Sequence, residues 1–192
     1  MTTRRRGLVT ALLGAAALAL SLAAPAQEAP EEALPPAASR SAWSLAGAWG
    51  HTVELVTADR TSSHLLLLAP QWTYRLSQVV EGVAEGHVAG YVGDADGWML
   101  GIVPLGFRFR VPDSPWLPYL SVGAGFGWTN LRIIEINRRF DFILCGGFGV
   151  RPGGETSPFS VEIRLVHYSN AGTVPPNYGL NSLALVGAWR LP

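Results

Sequence analysis

Near the C-terminal end of this 192-residue chain, His167 and Ser169 are separated by a single residue, Tyr168. An imidazole and a hydroxyl are the pair that nucleophilic catalysis requires, because a serine oxygen attacks well only when a base takes its proton. On a β-strand, residues two apart point to the same side and lie about 6.6 Å apart along the chain. An imidazole is long enough to lean across that gap and accept the serine proton. A non-catalytic reading is also open: two polar side chains at the end of a strand can serve only to reach a polar boundary. Other chemistry is not indicated. The four histidines, His51, His64, His87 and His167, are scattered and lack metal-ligand spacing. There is no Gly-x-Ser-x-Gly elbow and no glycine-rich phosphate loop. The alternation Gly123, Gly125, Gly127 reads as packing within a strand rather than as a dinucleotide fingerprint. Neither a metal nor an organic cofactor is expected.

The elements that would position the pair follow from composition. Arg4, Arg5 and Arg6 precede an apolar run from Gly7 to Ala24, and Ala24-Pro25-Ala26 supplies small residues for cleavage, so residues 1–26 read as a signal peptide. Its removal takes away three of the 14 positive charges and leaves all 14 negative ones, a mature charge of −3. A nucleic-acid binder is thereby disfavoured, since no basic patch remains to neutralise phosphates. One cysteine, Cys145, excludes an internal disulfide in a chain whose leader implies export. Hydrophobic residues make up 48% and charged residues only 15%, yet no apolar run after the leader approaches the ~20 residues of a membrane helix. A transmembrane β-barrel reconciles the two facts, because its strands alternate apolar-out and polar-in.

Residues 27–41, rich in Pro, Ala and Glu, read as a flexible periplasmic leader, and residues 42–192 as the barrel. From Trp43 onward eight period-2 segments can be counted. The clearest sets Leu120, Val122, Ala124, Phe126 and Trp128 against Tyr119, Ser121, Gly123, Gly125 and Gly127. In the fourth, Trp98 to Val111, the apolar parity switches near Pro104, which predicts a bulge. Arg75, Glu81, Glu85, Arg108, Arg110, Glu162 and Arg164, together with Glu54, fall on the parity opposite the apolar stripe and can pair across a narrow lumen. The expected fold is therefore all-β, an eight-stranded antiparallel transmembrane barrel, apolar outside and polar inside. A soluble lipocalin-like barrel would require the reverse, whereas here Trp43, Trp49, Trp72, Trp128 and Trp189 lie on the uniformly apolar face. With both termini periplasmic, the far end of the seventh strand, Val166 to Asn170, faces outside. His167 and Ser169 then continue the lipid-facing parity of Val161, Ile163 and Leu165 at the outer boundary.

The stretch His167-Tyr168-Ser169-Asn170-Ala171-Gly172, followed by Pro176-Asn177-Tyr178-Gly179, resembles the signature of the lipid A 3-O-deacylases, the PagL family. The similarity is strong over 162–185. It is looser elsewhere, at Pro70-Gln71-Trp72, Pro104-Leu105-Gly106-Phe107-Arg108 and Pro118-Tyr119. The resemblance implies an outer-membrane serine esterase that removes the ester-linked acyl chain at position 3 of lipid A. It assigns Ser169 as nucleophile, His167 as general base, and Asn170 with the Gly172 backbone N–H as oxyanion donors. The family's third catalytic residue is a glutamate twelve positions after the serine, and here that position is Asn181. Its parity matches Leu183 and Leu185, so it faces outward on the neighbouring strand. An amide cannot stabilise an imidazolium as a carboxylate does, although its carbonyl can accept the imidazole N–H. Glu135 is the one other acid within conceivable reach. Lipopolysaccharide is the partner implied, with the outer membrane as location, and oligomeric state is not legible. The alternatives are a catalytically silent barrel that has lost its acid, or an esterase acting on another lipid ester.

Overall fold

In the computed structural model, residues 40–53, 61–133, 136, 138–175 and 177–192 are described. The proposed signal peptide 1–26, nearly all of the leader 27–41, Glu54, Glu135 and Pro176 lie outside the described residues. Eight strands follow one another: β1 (Ser41–Thr52), β2 (Ser63–Arg75), β3 (Val80–Gly93), β4 (Gly97–Arg110), β5 (Tyr119–Thr129), β6 (Phe140–Val150), β7 (Phe159–Ser169) and β8 (Leu180–Arg190). Each pairs antiparallel with the next, and β8 closes onto β1, so no edge is left unpaired.

Alternation drives the closure. Along β2, Leu65, Leu67, Ala69 and Gln71 are buried, while His64, Leu66, Leu68 and Trp72 between them are exposed. The same pattern around the ring leaves a continuous apolar exterior carrying Trp43, Trp49, Trp98, Trp128, Leu144, Ile163, Leu185 and Trp189. Exposed apolar area costs roughly 25 cal/mol per Å² in water, and a band of this extent belongs in hydrocarbon. The expected parity switch is present on β4. Trp98, Leu100 and Ile102 face out, then Leu105 and Phe109 do, with the register against β5 shifting between Ile102 and Leu105 around Pro104. Proline cannot donate to the ladder, so the bulge accommodates it. Opposite the bulge, a Cβ on Gly125 would lie 2.0 Å from the Ile102 carbonyl oxygen, so β5 needs glycine there to pass so close.

The lumen is layered. Its middle is a polar network centred on Arg164, which donates to Glu85 at 2.9 Å and to Glu162 at 2.7 Å. Gln71 donates to Glu85 at 2.7 Å and accepts from Arg108 at 2.8 Å, and Ser121 donates to Glu162 at 2.7 Å. At the end where β1 begins and β8 finishes, Arg75 and Arg110 both bond to Glu155, which sits in a short 3₁₀ turn at Gly154–Thr156. Toward the opposite end the lumen turns apolar, filled by Leu65, Tyr91, Met99, Ile143 and Tyr168 and capped by Leu131 and Ile136 from the β5–β6 connection. The polar-inside expectation holds in the middle and at the end where β1 begins, and Ser63, Thr129, Asp141 and Ser182 are buried among the apolar residues of the opposite end.

Arg164 neutralises two buried carboxylates at once, and removing one partner of a buried charge pair typically costs 3–5 kcal/mol. Arg164→Met should accordingly destabilise the barrel by about 3 kcal/mol or more, read as a lower urea midpoint for the folded, heat-modifiable band in detergent. An unshifted midpoint contradicts this account of the lumen.

Candidate active site on the outer wall of the barrel

The last turn of alternation on β7 sets the site. Tyr168 points inward and is fully buried, its hydroxyl sharing a 2.6 Å hydrogen bond with His87 Nε2 and its ring packed edge-on against His87 and Tyr91. With the intervening residue anchored in the lumen, His167 and Ser169 must project from the opposite, exterior face. Both are half-buried.

Asn181 is the second residue of β8 and pairs directly with His167 across the ladder. Its side chain is buried beneath the imidazole, and Asn181 Oδ1 lies 2.8 Å from His167 Nδ1. An amide oxygen only accepts, so Nδ1 carries the proton and Nε2 presents the lone pair. That is the tautomer a general base requires. Among the described residues neither His167 Nε2 nor Ser169 Oγ has another hydrogen-bond partner. The serine–imidazole hydrogen bond is itself not formed in this structure, and such bonds are often long until substrate is in place. The structure brings the three candidates onto one face of two adjacent strands.

The imidazole is held from behind as well. Gly179, at φ +76°, lies against the ring, and a Cβ there would come within 2.3 Å of His167 Cε1. Two independent constraints demand glycine: a left-handed backbone and the space occupied by the ring. The cue was available in the Asn-x-Gly word, but the contact of Gly179 with His167 is not.

Asn170 and Gly172 sit in the turn that follows β7. Asn170 is buried and organises that turn: its Oδ1 accepts from Gly172 N–H at 2.9 Å, its Nδ2 donates to Val174 O at 2.9 Å, and its own N–H donates to Asn177 Oδ1 at 3.1 Å. The two expected oxyanion donors are therefore bonded to each other and to the loop. One Nδ2 hydrogen of Asn170 stays uncommitted, whereas Gly172 N–H is engaged. Ala171 between them holds φ +54°, a left-handed conformation unusual for a residue with a Cβ and costing on the order of 1 kcal/mol. Its strain marks this turn as one the surrounding bonds impose, a signal absent from the residue type.

Hydrophobic walls complete the surroundings. On β6, Phe142 pairs with Ser169 and Leu144 with His167, and an aromatic row of Trp128, Phe140 and Phe142 extends the apolar side toward β5 with ring centroids 5.3 and 5.7 Å apart. On the β8 side, Leu183 and Leu185 line the wall below Asn181. No concave pocket is needed for a substrate that lies along such a surface.

A closed antiparallel eight-stranded barrel with an apolar exterior defines the class, a transmembrane β-barrel. The sequence matches the family described as Lipid A 3-O-deacylase (PagL) over residues 61–190, and the chain belongs to that family. Membership places it among the ester hydrolases. No curated protein matches the chain. Among solved structures, the outer-membrane enzyme PagL superposes with a TM-score of 0.62 at 21% identity, covering 77% of this chain and 99% of that one. A de novo designed transmembrane β-barrel gives a TM-score of 0.46 at 11% identity, covering 82% of this chain and 98% of that one. The N-terminal barrel domain of Pseudomonas aeruginosa OprF gives 0.45 at 14% identity, covering 78% and 97%.

Because Gly179 backs the imidazole, Gly179→Ala should displace His167 by about 1 Å and lower kcat by roughly 100-fold, the usual consequence of such a misplacement. The barrel should remain folded by gel mobility. Full activity in a folded Gly179→Ala protein would show that the ring is positioned by other means.

Proposed function

We propose that this protein is an outer-membrane serine esterase that removes the 3-O-linked acyl chain of lipid A. The reading rests on one observation above the rest: His167, hydrogen-bonded to Asn181 and two residues from Ser169, faces the lipid side of the wall rather than the lumen. A substrate that lives in the membrane reaches that face without leaving the bilayer. The leader-like residues 1–26 and the strand count read from the sequence support export and an outward-facing site, at the level of the outer leaflet.

In this mechanism Ser169 Oγ attacks the ester carbonyl while His167 Nε2 takes its proton. The tetrahedral intermediate's oxyanion draws on the uncommitted Nδ2 hydrogen of Asn170. Gly172 N–H joins it by exchanging its bond to Asn170 Oδ1. Such donors are commonly worth about 3 kcal/mol each. Collapse expels the sugar hydroxyl, which receives the proton from the imidazolium, and water activated by His167 then clears the acyl-enzyme. Acyl chains lie along Leu144, Ile163, Leu165 and Leu183, flanked by Phe142.

Asn181 stands where the family carries glutamate. The 2.8 Å contact supports an active site, since the amide enforces the productive tautomer. What it lacks is the charge that steadies the imidazolium. Charge-assisted hydrogen bonds are roughly twice as strong as neutral ones, so Asn181→Glu should raise kcat by about fivefold to tenfold.

The decisive experiment is mass spectrometry of lipid A from cells with and without the protein. Wild type should shorten lipid A by one hydroxyacyl chain, and Ser169→Ala, though folded, should not. Loss of an acyl chain from a different ester position, or activity that survives Ser169→Ala, excludes this assignment.

A further inference from the structure

At the end of the barrel that carries His167 and Ser169, the outward-facing residues near the strand tips divide into two halves. On β3, β4, β5 and β6 they are Val92, Trp98, Trp128 and Phe140, all apolar and exposed. On β7, β8, β1 and β2, four consecutive strands of the closed ring, they are Ser169 and His167, then Asn181, His51 and His64. Polar side chains thus recur on two further strands past the candidate active site, with Leu183 of β8 paired directly to His51. His51 and His64 pair directly across the β1–β2 ladder with ring centroids 5.0 Å apart. Both are exposed, and the His64 ring stacks on Trp49 at 5.8 Å. Ser62 Oγ lies 3.5 Å from His51 Nε2, adding a hydroxyl to the group.

We infer that His51 and His64 form a subsite for a phosphomonoester on the sugar headgroup of the lipid substrate. The inference rests on the reading of the chain as a lipid A deacylase. Two imidazoles side by side on an otherwise lipid-facing wall offer ring N–H donors, and hydrogen bonds to an ionised acceptor are the stronger kind. The membrane–water boundary is where such groups meet a charged headgroup. Adjacent strands are about 4.8 Å apart, so the histidine pair lies roughly 10–15 Å around the wall from β7, within the span of a disaccharide. The opposite flank of Ser169 is the aromatic row of Phe142, Phe140 and Trp128, which offers no partner to a phosphate. A lipid with one polar head and several tails therefore has a single favourable orientation: head over β8, β1 and β2, scissile chain along β6 and β7. The histidine pair sets this orientation by binding and takes no part in the chemistry.

The test uses the full mature protein in detergent micelles with lipid A carrying its phosphates and the same lipid A after enzymatic dephosphorylation. Wild type should favour the phosphorylated lipid by about tenfold in kcat/KM, carried in KM, as expected for one charge-assisted contact. In His51→Ala/His64→Ala that preference should fall to about one, and His64→Lys alone should retain most of it. A wild type indifferent to phosphate, or a double variant that keeps the preference or weakens on both lipids alike, overturns the subsite. Binding is read independently of turnover by ³¹P NMR titration of phosphorylated lipid A with Ser169→Ala protein, with and without the two histidine changes. If lipid A is bound through its phosphates in a histidine-dependent way yet no acyl chain is ever released by wild type, the deacylase assignment fails and the subsite stands. If chains are released but neither affinity nor rate senses phosphate, the subsite fails and the deacylase stands. Inorganic phosphate at millimolar concentration should compete only weakly, since it lacks the tails; full competition by phosphate alone would mean a free-anion site and overturns the lipid-headgroup assignment.

Discussion

The inward anchoring of Tyr168 is the constraint from which the rest of the site follows. A strand gives each residue one of two faces, and the face of residue 168 decides those of 167 and 169. Its hydroxyl bonded to His87 and its ring held by Tyr91 fix it in the lumen, among the apolar residues that fill this end of the barrel. A register slip of one residue on β7 would bury the imidazole and the hydroxyl and throw a tyrosine onto the wall. The pairing of β7 with β8 converts that choice into a contact, because it sets Asn181 directly beside His167.

Layering inside the barrel serves the same end. The ion-paired middle, centred on Arg164 between Glu85 and Glu162, ties β3 and β7 together across the lumen. Above it the packed apolar residues replace water beneath the reacting groups. Rigid elements hold a catalytic constellation better than loops do, and here all three candidate groups stand on strands of the closed ring, His167 and Ser169 on β7 and Asn181 on β8. The turn from Asn170 to Gly179 is then left to shape the surroundings: Asn170 staples it, Ala171 bears its strain, and Gly179 brings it against the ring.

Most of the fold was legible in the sequence, since alternation is a local property that survives without knowledge of partners. The eight segments, the bulge near Pro104 and the inward charges could all be read that way, and the outward parity of His167, Ser169 and Asn181 came with them. What depends on which residues meet across strands was not legible. His51 and His64 lie thirteen positions apart, and only the β1–β2 register sets them opposite one another. Likewise the closeness of Gly179 to the imidazole, and the engagement of Gly172 N–H by Asn170, depend on how a ten-residue connection folds back, which residue types alone do not dictate.

On the proposed reading, a site lying open on the barrel wall leaves half of its binding surface to the surrounding bilayer. The tails of a lipid lying against Ile163, Leu165 and Leu183 touch protein on one side and neighbouring chains on the other. Catalysis on such a wall follows the mole fraction of substrate within the leaflet rather than its amount per volume. Stiffening or loosening the lipid neighbourhood would then tune the enzyme with no effector bound to it, so the product of each turnover, a lipid one chain shorter, alters the medium in which the next encounter takes place.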